Sequence, residues 1–267
     1  MKPLHFDFPM REQVYKEAGR ELKLYLFEPD EPSSAPRPVL LFFNGGSFQK
    51  DPKLSPVQFQ HQARYFAERG VIGICVDYRN GSDEGFTPLQ AIADVKSAVR
   101  WVRTHSAELQ ADPSRITVCG ASAGGYIAVS SILFPAVDDA SPEEREVDAV
   151  PNNLVIFAAG MDAVDIMGRR YPEILDQARE ISPLHHIRKA LPRTLWLLGT
   201  SDDLYEQNME FVRGMREAGN DITLETYEGM EHGFFNYGRY DNKPWRETTK
   251  RIESFLYPDL PLRRDEA

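Results

Sequence analysis

Five short, almost unbroken apolar runs punctuate the chain: Val39–Phe43, Val71–Val76, Ile116–Cys119, Leu154–Ala158 and Thr194–Leu198. A strand with one wet face alternates apolar and polar residues. Continuous runs of this length mark strands covered on both faces, as in a parallel sheet between layers of helices. Helix-period segments separate them. Gln58–Arg69 is one, and a second opens at Thr87-Pro88 and repeats apolar residues at Ile92, Val95, Val99 and Val102. A third runs from Tyr205 to Ala218 and stops at Gly219-Asn220, a helix-ending pair. Ile222–Tyr227 reads as a last strand and Trp245–Leu256 as a closing helix. The alternation predicts an α/β architecture with a mostly parallel central sheet and helices on both faces. Ahead of it, Gln13–Lys16 and Glu21–Phe27, joined through Ala18-Gly19-Arg20, predict an antiparallel hairpin.

The 267 residues, 42% of them apolar, suit one domain spanning 1–267. Two polar insertions interrupt the alternation as candidate cap or rim. Residues 135–151 read as an acidic surface excursion bordering the site, and 162–190 as an irregular charged segment. The net charge of −10 comes from scattered acids, which argues against a nucleic-acid partner. No run of about 18 apolar residues offers a membrane span, and the first seven residues lack the apolar core of a signal peptide. The chain as written reads as cytoplasmic, with a secreted or periplasmic home if it is a trimmed mature form. Cys75 and Cys119 fall inside buried strands and read as small core fillers.

Chemistry concentrates where Ile116–Cys119 runs into Gly120-Ala121-Ser122-Ala123-Gly124 and out into the apolar helix beginning Gly125-Tyr126-Ile127. Strand, G-x-S-x-G and helix together are the pattern of a nucleophile elbow, which holds a serine outward on a turn too tight for bulky neighbours. A hydroxyl needs a base, and the base needs an orienting acceptor. Strand ends supply Ser122, then Asp202, then His232, in that order. His185 and His186 compete for the base less well. For the acid, Asp202 and Asp203 are adjacent; one orients the base and the other caps the following helix, with Asp162 and Asp165 a weaker source. Asn44-Gly45-Gly46-Ser47-Phe48, after a central strand, is placed to give oxyanion donors from Gly45 and Gly46, joined by the Ala123 N–H.

These motifs, with Asp77-Tyr78-Arg79, Asp112–Ile116, Gly199-Thr200-Ser201-Asp202 and His232-Gly233-Phe234-Phe235, resemble an α/β-hydrolase-fold carboxylesterase. The resemblance is to the acetyl esterase and xylan esterase group related to hormone-sensitive lipase and bacterial feruloyl esterases, and it covers Pro38 to Leu256. The family's G-T-x-D pattern falls on Asp202 and so favours it over Asp203. Asn44 stands where the family usually has histidine, and Ser47 where a third glycine is common. What the resemblance implies is a minimal lid and a cofactor-free, metal-free hydrolysis of short, acetyl-type esters on a small molecule or xylan-type oligosaccharide. Phe48 and Phe235 are expected to touch substrate, and Phe234, Tyr237, Tyr240 and Trp245 form an aromatic set near the base. Feruloyl esterase and prolyl-oligopeptidase-type serine peptidase are the rival activities. A scaffold on a dead hydrolase fold is the non-enzyme rival, and the presence of all three triad residue types at strand ends argues against it.

Overall fold

The computed structural model describes residues 4–49 and 55–258. Eight strands form one sheet: β1 (Arg11–Glu17), β2 (Glu21–Phe27), β3 (Arg37–Phe43), β4 (Ile72–Val76), β5 (Ala111–Ala121), β6 (Asn153–Phe157), β7 (Arg193–Gly199) and β8 (Ile222–Tyr227). Their spatial order is β1-β2-β4-β3-β5-β6-β7-β8. β1 and β2 pair as the expected hairpin, β2 joins β4 antiparallel, and all pairings from β4 onward are parallel. The apolar runs are the middle of this sheet because each residue there has a buried face to occupy. Leu41 and Phe43 point into one core, while Leu40 and Phe42 point into the other.

Helices complete the two layers. On the first face lie α2 (Pro88–Thr104), α4 (Ala123–Leu133) and α7 (Tyr205–Glu217); on the second lie α1 (Gln60–Ala67) and α8 (Lys243–Leu256). Thr87 opens α2 with a reciprocal capping box to Gln90. Single turns at α3 (Ser106–Leu109) and α6 (Leu175–Ala178) serve as connectors. Gly73 lets α1 lie against β4, since a Cβ there would sit 2.5 Å from the Ala63 carbonyl oxygen.

The two insertions behave differently from one another. Segment 135–151 is pinned to α2: Lys96 donates to the carbonyls of Phe134, Pro135 and Val137, and Arg100 holds Asp138 at 2.7 Å. Burial pushes the Lys96 ammonium down to about 8. Segment 162–190, expected to be irregular, opens instead with the helix α5 (Ala163–Arg170), capped by Asp162, whose carboxylate accepts from Val164 N. Its buried Ala163 and Met167 are four residues apart, a helical spacing that the surrounding charges mask in the sequence.

Candidate active site

Ser122 sits between β5 and α4 with φ 52° and ψ −115°, a backbone conformation costly for any residue with a side chain. Its neighbours explain how that turn closes. A Cβ on Gly120 would lie 2.4 Å from the Gly124 carbonyl oxygen, and one on Gly124 would lie 2.2 Å from that of Phe43. The flanking glycines are therefore demanded by backbone crossing backbone. The Ser122 N–H donates to Phe157 O at 2.9 Å, and its carbonyl accepts from Tyr126 N at 3.0 Å.

His232 reaches Asp202 from the loop after β8. Its Nδ1 lies 2.9 Å from Asp202 Oδ2 and 3.1 Å from Oδ1. The carboxylate is fully buried and accepts the Nδ1 proton, which leaves Nε2 as the ring's acceptor, on a side chain 41% exposed. Asp202 Oδ1 also accepts from Leu204 N at 2.8 Å. Asp202 thus makes both contacts, to His232 and to the backbone just ahead of α7, whose N-terminus carries no side-chain cap, and Asp203 stands exposed beside it. Two backbone bonds, Ser201 N to Met230 O and Thr200 N to Tyr227 O, stitch the two loops together, and the Thr200 side-chain Oγ1 accepts from Gly229 N. A Cβ on Gly199 would fall 2.1 Å from Met230 O, so only glycine permits this approach. Among the described residues no hydrogen bond joins Ser122 Oγ to His232; such contacts are often long before substrate arrives.

The loop after β3 corrects one expectation. The Gly45 N–H is not free to face a ligand, because it donates to Gln58 Oε1 at 2.8 Å. Gln58 Nε2 in turn donates to Asn236 Oδ1, also at 2.8 Å, on the loop that carries His232. Gly46 turns at φ 115° and Ser47 at φ 50°, and neither N–H has a hydrogen-bond partner among the described residues; nor does that of Ala123, the first residue of α4. Asn44 braces the turn, its Nδ2 donating to Gly45 O at 2.7 Å, and Tyr78 Oη donates to Asn44 O at 2.7 Å.

A small pocket of about 90 Å³ opens beside Ser122, lined by Ser47, Phe48, Ala123, Ile166, Leu204 and the arginines at the end of α5. Phe48 lines this pocket, although it is only 1% exposed. Phe235 does not. It is 2% exposed and packs on Phe157 and Phe59, because the aliphatic and aromatic core beneath β6 claims it. Phe234 is likewise core, whereas Tyr237 and Trp245 line a separate surface groove with His61. Segment 135–151 contributes nothing to the Ser122 pocket; its anchors hold it against α2 instead. His185 and His186 are occupied elsewhere, by Ser182 Oγ and Arg179 O. Among the described residues, no three His, Cys, Asp or Glu side chains gather as a metal site, and no helix is long and apolar enough to cross a membrane.

The BD-FAE family model matches residues 24–212, which is most of the chain and contains β3, the elbow and Asp202. The chain belongs to the BD-FAE family. It is an α/β-hydrolase carboxylesterase. Esterase 2 of Thermogutta terrifontis, solved phosphorylated by paraoxon, superposes with a TM-score of 0.83 at 35% identity, covering 92% of this chain and 93% of that one. The same protein has also been solved with propionate bound (36% identity, TM-score 0.81). Among curated relatives are a probable isoprenylcysteine alpha-carbonyl methylesterase, ICMEL1, of Arabidopsis thaliana (27% identical, 83% of this chain, 50% of the relative) and the probable carboxylic ester hydrolase LipM of Mycobacterium tuberculosis (29%, 76% and 51%). The chain spans about half the length of these curated relatives.

Three residues of this esterase matter more than their sequence context signals. Gln58 and Tyr78 grip the β3 loop from 13 and 34 residues away, distances at which no motif links them to it. Ser47 is the third, lining the pocket with a left-handed φ of 50°.

Proposed function

We propose that Ser122 is the nucleophile, His232 the general base and acid, and Asp202 the group that orients it, in a serine esterase acting on short-chain esters. His232 Nε2 takes the Ser122 hydroxyl proton as Oγ bonds to the ester carbonyl carbon, and the carbonyl π pair becomes an oxyanion. Free N–H groups of Gly46, Ser47 and Ala123 hold that charge; a single such donor typically contributes about 10²–10³ in turnover. The tetrahedral adduct collapses, the carbon–oxygen bond to the alcohol breaks, and Nε2–H protonates the departing oxygen. Water then repeats the sequence on the acyl-enzyme and regenerates Ser122.

The observation that carries this reading is the bond from His232 Nδ1 to a carboxylate with no other exposure to solvent, because it fixes Nε2 as a proton acceptor. A pocket of about 90 Å³ supports a short acyl group, as does one relative, Thermogutta terrifontis esterase 2, solved both with propionate and with butyrate bound. The family resemblance extends the proposal to acetyl groups on xylan-type oligosaccharides. A chain-length series of p-nitrophenyl esters, run beside acetylated xylo-oligosaccharides and a peptide anilide, tests it. Catalytic efficiency should peak between acetate and butyrate, with acetate released from the sugar and the anilide inert. Greater efficiency on C8 esters than on acetate, with no acetate released from sugar, would refute the substrate proposal.

A further inference from the structure

The pocket beside Ser122 carries charge of one sign. Arg169 and Arg170, the last two residues of α5, both line it, together with Ser47, Ile166 and Leu204. Arg169 is bound to Asp165 one turn earlier. Arg170 is exposed and has neither a hydrogen bond nor an ion pair among the described residues. Cations are welcome at a helix C-terminus, but that preference does not require a side chain to stand over a pocket. The whole chain is at −10, so its overall field repels anions, and an uncommitted guanidinium at this spot is the local exception.

Position says which part of a substrate it meets. The pocket is lined by Ser122 and Ala123 but not by His232. The leaving alcohol must lie within reach of His232 to be protonated, so this pocket takes the acyl side. Its volume of about 90 Å³ is several times the roughly 10–15 Å³ that one water needs by the same measure, room for a short acyl chain with a polar end. Guanidinium matches carboxylate through paired N–H donors.

Resting on the esterase reading of Ser122, we propose that the preferred acyl group ends in its own carboxylate. The substrate class is a half-ester of a short dicarboxylic acid, of succinyl to glutaryl size, with Arg170 as the main anion ligand and Arg169, shared with Asp165, as the lesser one.

The test compares methyl butyrate with monomethyl succinate, which differ by a carboxylate in place of a methyl group and release the same alcohol. Acid release is followed at constant pH in wild type, Arg170→Gln, Arg169→Gln, and Arg213→Gln, an exposed control on α7 away from the pocket. The quantity read is the ratio of kcat/KM for the half-ester to that for methyl butyrate. It should fall at least tenfold in Arg170→Gln, about threefold in Arg169→Gln, and not at all in Arg213→Gln; 0.5 M NaCl should lower it in wild type. The wild-type ratio should exceed one; a wild-type ratio below one, or an unchanged ratio in Arg170→Gln, would overturn the subsite while leaving ester hydrolysis intact. Methyl butyrate hydrolysis that persists in Ser122→Ala would instead overturn the reading of the site itself, and the subsite with it.

Discussion

The two halves of the site are held by different means. On the β7–β8 side, Asp202 and His232 are brought together by backbone hydrogen bonds between consecutive loops and by a glycine that lets one main chain touch the other. On the β3–β5 side, the loop of Asn44 to Phe48 is held by side chains arriving from elsewhere: Gln58 on Gly45, Tyr78 on Asn44, and Asn44 on its own turn. The first half is rigid because its motif residues do the holding. The second depends on distant partners, which makes it adjustable. Ser47 and Phe48 both take left-handed φ values there, a strain that the surrounding packing of Phe48 on Phe86, Tyr126 and Tyr171 sustains.

Breaking each half at one glycine should therefore give unequal results. In Gly199→Ala the new methyl meets Met230 O at 2.1 Å, and backbone cannot give way; we expect a protein that fails to fold or loses roughly 4 kcal/mol, near 10 °C in Tm. In Gly45→Ala the nearest atoms, Ala121 O and Ser122 Cβ, are at 3.2 Å, so a shift of a few tenths of an ångström accommodates it. Thermal unfolding and ester turnover should show Gly45→Ala folded, with turnover reduced about tenfold. Equal damage from both would remove the contrast.

Gln58 sharpens the same point, since it bridges the Gly45 turn to the Asn236 side of the His232 loop. As a positioning residue it should act on the chemical step. Gln58→Leu is expected to lower kcat by about ten- to hundredfold with KM within about threefold, and Asn236→Leu should do likewise. Residues that act as one unit are non-additive, so the double variant should be no worse than the more damaged single one. A matching rise in KM, or additive losses, would assign Gln58 to substrate contact or to general stability.

That bridge also marks the limit of what the sequence discloses. The strands, the elbow, and the order Ser122, Asp202, His232 are local patterns: apolar runs, glycines spaced around a serine, polar residues where a run ends. The occupied Gly45 N–H is not local, because nothing within a few residues of Gln58 says which amide it will meet. Phe235 was misplaced for a related reason, since an aromatic three residues from the histidine is equally able to face substrate or core, and Phe59 and Phe157 decide the matter from other elements. Asp202 and Asp203 looked like an orienter and a helix cap, yet Asp202 alone bonds both His232 and Leu204 N, since a carboxylate has two oxygens and enough lone pairs for both, and α7 has no side-chain cap.

The smallest effect expected lies outside either half. Burial alone would raise the Asp139 carboxyl, but bonds from Lys16 and Arg79 outweigh it and hold the group below its ordinary value. A carboxyl whose folded pKa is depressed stabilises the fold fully above the unfolded value, about 4, and loses that contribution as pH falls through the folded one. Asp139→Asn should therefore lower Tm slightly at pH 7, with the gap closing as pH is taken from 5 toward 3, and turnover at pH 7 should stay within about twofold. A gap that widens in acid would contradict the assignment.

The central claim is that Ser122 is an activated nucleophile. Treating the protein with a fluorophosphonate and reading its intact mass and peptide map tests this directly. The account predicts one adduct per chain, on Ser122, absent in Ser122→Ala and formed far more slowly in His232→Ala. Labelling at another residue, or labelling that survives Ser122→Ala, would contradict it.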